Sequence, residues 1–403
     1  MRDEARLQTV IELADLLFSF DQPADNTVNL YFRTHRYIGS RDRRAIADLV
    51  WQVLRHYGRL SSLVKEELTG RAAVAALLCY HNKNLLLLFN GEKYAPAPLS
   101  EKEKGWLDAL PAEMPQVCLE CPDWLKDRLD QADIEAMTVP ATTDLRVNTL
   151  KTDRDTVLKL LERDNIKAEK TPFSPWGIRL EERFNITAHP LFQDGLIEVQ
   201  DEGSQLVSLL SQARAGETVI DWCAGAGGKT LALSAMMQAK GTLYAADAFP
   251  KRLKDLPERA NRAGAANVIL LNDYKDLKSY DLVLIDAPCT GTGTWRRAPD
   301  ARWRITPEQS ASIVKTQAEI LDSAASHVKK GGRLFYITCS LDKAENENQT
   351  DAFLKRHADF ELEDLAPVFN RLTGQTTETK TIRLCPAKLH TDGFFAASFG
   401  KKR

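Results

Sequence analysis

The chain has 403 residues, of which 43% are hydrophobic and 27% are charged. This composition is typical of a folded protein, and it excludes disordered, collagen-like and small disulfide-rich proteins. The 54 basic and 56 acidic residues give a formal net charge of -2, which argues against a protein that coats nucleic acid through bulk positive charge. At about 100 to 200 residues per domain, this length predicts two or three domains.

The sequence contains no run of about 18 apolar residues, so we expect no membrane span. The N-terminal residues MRDEARLQTVIELADLL carry early acidic side chains and do not resemble a signal peptide. Seven cysteines in a chain without an export signal are more typical of free thiols than of a disulfide framework. We therefore predict a cytoplasmic protein and consider sulfur chemistry for its function.

Apolar residues recur at three- and four-residue steps from Leu7 to about Leu78, which predicts a helical domain over 1–140. Residues 31–60 carry seven arginines against two aspartates, a local basic patch suited to RNA. The pattern changes at Asp144, where strand, helix and strand signals follow one another. These signals predict a small α+β module over 141–195.

After about Gly216, short apolar runs alternate with helical periodicity over the rest of a third domain, 196–403. This alternation predicts an α/β fold with a doubly wound parallel sheet. A hairpin strand is predicted over 392–399, near the chain's last residue. The predicted sheet strands are Thr218–Cys223, Thr242–Asp247, Val268–Leu271, Asp281–Asp286 and Arg333–Thr338.

The first of these strands ends in DWCAGAGGKT (221–230), a glycine-rich turn directly before a helix. Such a turn lets the backbone approach a ligand, although by itself it also suits a dinucleotide, a phosphate or close packing. Carboxylates follow the next strands, at Asp247, Asp273 and Asp286, on the edge where α/β sheets bind ligands. Because carboxylates repel an anionic nucleotide and attract a sulfonium and an ammonium, we predict S-adenosyl-L-methionine as the cofactor.

Two predicted strands end in a cysteine at that same edge, Cys289 in DAPCTG and Cys339 in YITCS. Methylation of carbon 5 of a pyrimidine needs a nucleophile at carbon 6, and a thiolate suits this addition. A second group must take the proton from carbon 5. Asp286 is a candidate to hydrogen-bond the cytosine, and Lys229 and Arg296 are candidates for a cation that promotes thiol ionisation. These residues leave open which cysteine attacks, since DNA cytosine methyltransferases keep their nucleophile in a Pro-Cys after the fourth strand.

Several segments closely resemble the Sun/RsmB-type family of RNA cytosine-5 methyltransferases. They are DWCAGAGGKT, DAPCTGTGTWRRAPDARW, TCSLDKAENE, VQDEGSQL (199–206) and DGFFAA (392–397). The resemblance implies a Rossmann-like class I methyltransferase domain, and it extends more loosely upstream. LRVNTLKTDRDTVL is similar to the family's RNA-recognition-like module, and GSRDRRAIADLVWQVLRHYGRL is similar to the NusB-like RNA-binding domain of bacterial members.

The resemblance also implies roles for individual residues. The family's nucleophile is the TCS cysteine, here Cys339, and its Pro-Cys cysteine, here Cys289, assists product release. The usual family loop reads CAAPGGKT, so Gly225 and Ala226 should make this loop less rigid before ligand binds. The implied cofactor contacts are Cys223, Ala224, Gly225, Ala226, Gly227, Gly228, Lys229, Asp247, Asp273 and Asp286, with Arg252 as an additional contact.

Arginines and tryptophans interleave shortly after Cys289, and guanidinium groups suit phosphates while indoles suit unstacked bases. A base must leave its stack before a thiol reaches carbon 6, so the substrate is single-stranded or flipped. A solvated charged loop with buried tryptophans is the alternative interpretation. The predicted RNA contacts are Arg296, Arg297, Arg302 and Trp303.

The sequence thus predicts a methyltransferase that makes 5-methylcytosine in small-subunit ribosomal RNA through a covalent adduct. A tRNA or DNA cytosine-5 methyltransferase and a non-catalytic RNA-binding assembly factor are the alternatives. We expect a monomer. We expect no metal, because the CxxC pair of Cys118 and Cys121 lacks a second ligand pair at regular spacing.

Overall fold

A computed structural model describes residues 1–271 and 279–403. They form two compact units, the first made of Met1–Pro140 and Trp295–Pro307, the second of Ala141–Thr294 and Glu308–Arg403. The sequence placed residues 295–307 with the catalytic domain, whereas this segment packs within the first unit. Short-range patterns do not reveal such an exchange, because it depends on contacts with residues more than 150 positions away.

The helices follow one another along the chain. They are α1 (Asp3–Leu17), α2 (Ala24–Thr34), α3 (Ser40–Arg55), α4 (Tyr57–Ser61), α5 (Gly70–Tyr80), α6 (Leu85–Leu88), α7 (Glu101–Asp108), α8 (Gln131–Ala136), α9 (Arg154–Arg163), α10 (Pro190–Gln193), α11 (Glu202–Leu210), α12 (Gly228–Met236), α13 (Leu256–Ala263), α14 (Ala301–Arg304), α15 (Pro307–Ala325), α16 (Glu347–Arg356), α17 (Ala366–Thr373) and α18 (Pro386–Leu389).

The strands form two sheets. They are β1 (Thr143–Val147), β2 (Ala168–Lys170), β3 (Gly177–Leu180), β4 (Ile197–Val199), β5 (Thr218–Asp221), β6 (Thr242–Ala245), β7 (Val268–Leu270), β8 (Tyr280–Asp286), β9 (Val328–Thr338), β10 (Phe360–Leu362), β11 (Ile382–Leu384) and β12 (Phe394–Lys401).

The first unit is helical, as the apolar spacing predicted. Residues four or seven apart on α3, such as Ile46, Val50 and Val53, are fully buried in its core. The start of α7 is fixed by a capping box, in which Ser100 accepts from the Glu103 N–H and the Glu103 side chain accepts from the Ser100 N–H. Among the described residues, no helix has both the length and the apolar character to cross a membrane.

The second unit begins with a small antiparallel sheet in the order β2-β3-β1-β4. Helix α9 lies between β1 and β2 and starts where the Asp153 side chain accepts from the Thr156 N–H at 2.9 Å. Val157 and Leu161 of this helix join the core formed by the small sheet. An α+β module therefore occupies this region, as predicted.

The large sheet has the order β10-β12-β9-β8-β5-β6-β7, and β11 pairs with β12. Strands β5 to β9 are parallel, which confirms the predicted α/β class. The sheet is mixed rather than wholly parallel, because β12 runs antiparallel to β9 and β10. Strand β9 also starts five residues earlier than predicted, because the Lys and Gly residues at 329–332 interrupt the apolar strand pattern. The pairing of β8 with β9 is irregular in this part of the sheet.

Candidate active site

A cavity of about 690 Å³ opens at the carboxyl ends of β5, β6, β8 and β9. This volume lies within the roughly 300 to 1,000 Å³ of ligand pockets. Most of the predicted cofactor contacts and both predicted catalytic cysteines line it. These residues are Cys223, Ala224, Gly225, Ala226, Gly228, Lys229, Asp247, Arg252, Asp286, Cys289 and Cys339.

The glycine-rich turn gives this cavity one of its walls. Gly227 has φ +86°, and an added Cβ would lie 2.3 Å from Leu256 Cδ1, so both conformation and space require glycine there. Gly225 also has a positive φ, of +51°. Helix α12 starts directly after this turn, so its first N–H groups have no acceptor within the helix.

Asp247 anchors the turn from the end of β6. Its carboxylate accepts from the Gly225 N–H at 3.0 Å and from the Phe249 N–H at 2.9 Å, and Arg252 lies 3.9 Å away. These contacts fix a carboxylate in the cavity wall, in the position from which class I folds bind ribose hydroxyls. Asp273, which the sequence also predicted as a contact, lies outside the described residues.

Asp286 forms an ion pair with Lys229, whose Nζ donates to Oδ2 at 2.7 Å. Burial lowers the pKa of the Lys229 ammonium, but the charges of Asp286 and Cys339 raise it, and the net shift is upward. Lys229 therefore stays protonated. Because this pair is neutral overall, Asp286 contributes less to cation attraction than the sequence suggested.

The two predicted cysteines are brought together. Cys289 Sγ and Cys339 Sγ lie 3.2 Å apart in a hydrogen bond. That bond, burial, and the charges of Cys339 and Glu345 raise the pKa of the Cys289 thiol well above its usual value. Burial and these neighbours therefore disfavour the thiolate form of Cys289, while Lys229 and Cys339 interact electrostatically.

Burial also raises the pKa of the third thiol in the cavity, Cys223. The carboxylates of Asp221 and Asp286 act in the same direction. A thiol with a raised pKa is a poor nucleophile near neutral pH. The structure therefore gives Cys223 a lining role rather than a chemical one.

The small module braces the cofactor loop. Arg146 of β1, only 2% exposed, donates from Nη1 to Gly228 O and to Gln200 Oε1, each at 2.7 Å. Arg259 binds Ala226 O and also forms an ion pair with Glu198 of β4. These contacts were not predicted from the sequence; the available signal was an arginine inside a predicted strand.

Residues 295–307 lie in the helical unit, which corrects the predicted RNA contacts. Arg302 is fully buried, donates to Glu120 O at 2.9 Å, and lies 3.9 Å from the Glu120 carboxylate. Arg296 is 5% exposed, and its carbonyl accepts from Arg55. We therefore assign Arg302 a structural role, because a guanidinium without solvent access cannot contact phosphate.

The other two predicted contacts differ in exposure. Trp303 is half-buried and packs edge-on against Tyr57, with ring centroids 5.3 Å apart, whereas Arg297 is exposed. The basic patch of residues 31–60 divides in the same way. Its exposed members are Arg33, Arg36, Arg41 and Arg44.

The CxxC pair shows no metal-site geometry. Cys121 is buried, and burial raises its pKa to about 12. Over the described ranges, no group of three or more His, Cys, Asp or Glu side chains is placed to hold a metal ion.

Parallel strands β5 to β9 within a mixed sheet, with a glycine turn after β5 and an acidic residue after β6, form a Rossmann-like class I methyltransferase fold. Comparison with known proteins narrows this class. Residues 208–400 match the model of the 16S rRNA methyltransferase RsmB/F family, and residues 121–187 match the ferredoxin-like domain of RsmF/B-like methyltransferases. The chain belongs to the RsmB/F methyltransferase family.

A curated relative and two solved structures are similar to this chain. The probable ribosomal RNA small subunit methyltransferase B of Bacillus subtilis (strain 168) is 33% identical over 302 residues, which are 70% of this chain and 66% of the relative. The chain thus spans slightly less than two thirds of that relative. The crystal structure of PH0851 has 26% identity and a TM-score of 0.77, covering 100% of this chain and 99% of its own. A methyltransferase homolog from Pyrococcus horikoshii has 30% identity and a TM-score of 0.61, covering 72% and 100%.

S-adenosylmethionine is the cofactor of this methyltransferase family, and the cavity residues fit it. Asp247 presents a carboxylate for ribose hydroxyls, and the turn at 224–228 brings backbone close to a ligand. When bound, the cofactor supplies a methyl group activated by its sulfonium.

Proposed function

We propose that this chain is an RNA (cytosine-5) methyltransferase that modifies small-subunit ribosomal RNA through a covalent bond between Cys339 and carbon 6 of cytosine. The observation that carries the proposal is the pair of sulfurs 3.2 Å apart within the cofactor cavity. Family membership supports the substrate class, and the two-thiol chemistry supports carbon 5 as the methylated atom.

The electrostatic surroundings favour Cys339 as the nucleophile. The Lys229 ammonium interacts electrostatically with Cys339, whereas the hydrogen bond to Cys339, burial and the charges of Cys339 and Glu345 raise the pKa of Cys289. A cation stabilises a thiolate and an anion disfavours one. We therefore assign the attacking sulfur to Cys339.

The electron and proton balance follows from this assignment. The Cys339 thiolate forms the sulfur–carbon 6 bond, and the electron pair of the carbon 5–carbon 6 double bond becomes available at carbon 5 for methylation. Abstraction of the carbon 5 proton then returns an electron pair to the double bond, and the sulfur–carbon 6 bond breaks to regenerate the thiolate.

Cys289 is the proposed base for this last proton. The hydrogen bond to Cys339 is the largest cause of its raised pKa, followed by burial and the charge of Cys339; the hydrogen bond and that charge are lost once Cys339 is bonded to the pyrimidine. Cys289 can then release its proton to water and accept the proton from carbon 5. At the end of the cycle the two sulfurs again share one proton, as they did at the start.

Two variants test the roles of the sulfurs. We expect Cys339→Ser to abolish both methylation and adduct formation, and Cys289→Ser to accumulate an RNA-linked species that survives denaturing gels. Bisulfite mapping of ribosomal RNA from cells with and without the protein identifies the modified cytosine. Trapping of RNA by the Cys339 variant would reverse the assignment, and an unchanged bisulfite map would exclude ribosomal RNA as the substrate.

A further inference from the structure

Glu345 connects the two loops that carry the cysteines. Its side chain is fully buried, six residues after Cys339 and before α16. The carboxylate accepts from the Thr290 N–H at 2.9 Å and from the Thr290 hydroxyl. It also accepts from the Ser340 hydroxyl at 2.5 Å. Since Thr290 follows Cys289 and Ser340 follows Cys339, one carboxylate contacts the neighbour of each reactive residue.

A helix completes the arrangement. Gln317 of α15 donates from Nε2 to Glu345 Oε2 at 2.9 Å and to Pro288 O at 2.9 Å. Pro288 directly precedes Cys289, so the loop around that cysteine is held on both sides. The four groups that donate to Glu345 are two hydroxyls, one backbone N–H and one side-chain amide.

Further bonds link the loops directly. The Gly293 N–H donates to Cys339 O at 2.9 Å, and the Leu341 N–H donates to Thr292 Oγ1 at 2.8 Å. These bonds fix the loops along part of their length. Directly after the cysteines, the Thr290 and Ser340 hydroxyls lie 3.3 Å apart, and both donate to the Glu345 carboxylate.

We propose that Glu345 is a positioning residue that holds the loops of Cys289 and Cys339 in register, so that the two sulfurs stay in contact. The inference deepens the proposed function and depends on it for its catalytic consequence. Its structural consequence can be measured without RNA or cofactor. Glu345 contacts neither reacting sulfur with its hydrogen bonds and is therefore not a catalytic residue.

Two substitutions separate the effect of the length of the Glu345 side chain from the effect of its charge. Glu345→Asp keeps the charge but shortens the side chain by one methylene, so it cannot contact both loops at hydrogen-bond distance. Glu345→Gln keeps the length; its carbonyl can accept from the Thr290 N–H and Gln317, while its amide can donate to the two hydroxyls. We expect Glu345→Asp to lower kcat by about 100-fold, since a displacement of a reacting group by about 1 Å can cost about 100-fold in rate. We expect Glu345→Gln to lower kcat by less than about tenfold.

The first readout is cross-linking of the apoprotein by diamide. Two thiols form a disulfide as diamide takes up their two electrons and two protons, and mass spectrometry measures the peptide joining Cys289 to Cys339. We expect Glu345→Asp to slow this cross-link at least fivefold and Glu345→Gln to leave it within twofold. The KM for the cofactor should stay within twofold in both variants, because the contacts of Asp247 are unaffected.

Glu217→Gln is the matched control. Glu217 is a partly buried carboxylate that binds Arg333 at 3.0 Å, near the start of β5 and away from the cysteines. It should leave both cross-linking and kcat within twofold. An unchanged cross-linking rate in Glu345→Asp overturns the proposal, and so does a larger loss in Glu345→Gln than in Glu345→Asp.

The proposed function can fail independently of this inference. If the wild-type protein methylates no cytosine but its cross-linking still depends on the length of residue 345, the positioning role stands and the activity does not. If methylation occurs and the cross-link ignores residue 345, the activity stands and the positioning role is wrong.

Discussion

At the residue scale, the burial of a carboxyl group in the second unit raises its pKa, and Asp221 is the example. Asp221 ends β5 fully buried, with Thr230 donating to its Oδ2 at 2.7 Å. Burial raises the pKa of Asp221 to about 7, and the charge of Asp286 acts in the same direction. Among the described residues, no donor reaches its Oδ1. The folded protein therefore holds a proton here that the unfolded chain would release.

This proton makes stability depend on pH. Between about pH 4 and pH 7 the folded state binds more protons than the unfolded state, so the free energy of unfolding falls as pH rises through that window. Asp221→Asn carries no ionisable group, and we expect it to gain about 1 to 3 kcal/mol relative to wild type on going from pH 5 to pH 8. Urea unfolding at the two pH values measures this gain. Asp351→Asn, at an exposed position, is the control. The prediction would be contradicted if the free energy of unfolding of Asp221→Asn differed from that of wild type by the same amount at pH 5 and at pH 8.

The candidate site shows how far residues could be predicted. The pairing of Cys289 with Cys339 was predictable because both follow parallel strands that share a carboxyl edge. Glu345 lies within the quoted TCSLDKAENE motif, yet nothing in that spacing shows that it contacts Thr290. Its contacts depend on the folding of a loop some 50 residues upstream, which the local sequence does not encode.

At the element scale, the segment 295–307 belongs to the helical unit through buried side chains. Arg302 Cζ lies 5.0 Å from the Trp295 ring centroid, and both side chains are fully buried. Glu120 is also buried, and burial raises its pKa to about 7 although Arg302 and Arg59 oppose this shift. The segment 295–307 therefore contributes a cation, Arg302, close to the buried carboxylate of Glu120.

Removal of this cation should be costly. We expect Arg302→Met to destabilise the first unit by about 3 to 5 kcal/mol, because it removes a buried cation 3.9 Å from the Glu120 carboxylate and the donor to Glu120 O. Adding Glu120→Gln should restore most of that loss. Chemical unfolding followed by circular dichroism measures both.

Arg297→Met is the control for this pair, since Arg297 lies in the same segment and is exposed. It should change stability by no more than about 0.5 kcal/mol. A loss in Arg302→Met as small as that in the control would show that the Glu120 contact contributes little.

At the scale of the whole molecule, the chain builds its two units from interleaved segments. The residues that line the cofactor cavity all belong to the second unit, whereas the first unit takes Trp295 and Arg302 from a distant segment. A cut at residue 140 therefore affects the two units differently. It leaves the cavity's residues together but removes buried side chains from the helical unit.

We expect the fragment 141–403, with residues 295–307 replaced by a Gly-Ser linker, to bind S-adenosylhomocysteine within about fivefold of the full chain, because every cavity residue is retained. The fragment 1–140 should melt at a lower temperature than the helical unit of the full chain, since it lacks Trp295 and Arg302. Calorimetry measures both properties. Equal melting temperatures for fragment and full chain would show that the segment 295–307 does not support the first unit.

The sequence by itself determined the helical region, the α/β sheet and the strand ends that carry Asp247, Asp286 and the two cysteines. Those features depend on periodicity and on short motifs, which are local. The tertiary structure alone decided the 3.2 Å separation of the sulfurs, the contacts of Glu345 and the burial of Arg302. These depend on which distant side chains meet, because burial and hydrogen bonding are properties of the folded chain and not of any single segment.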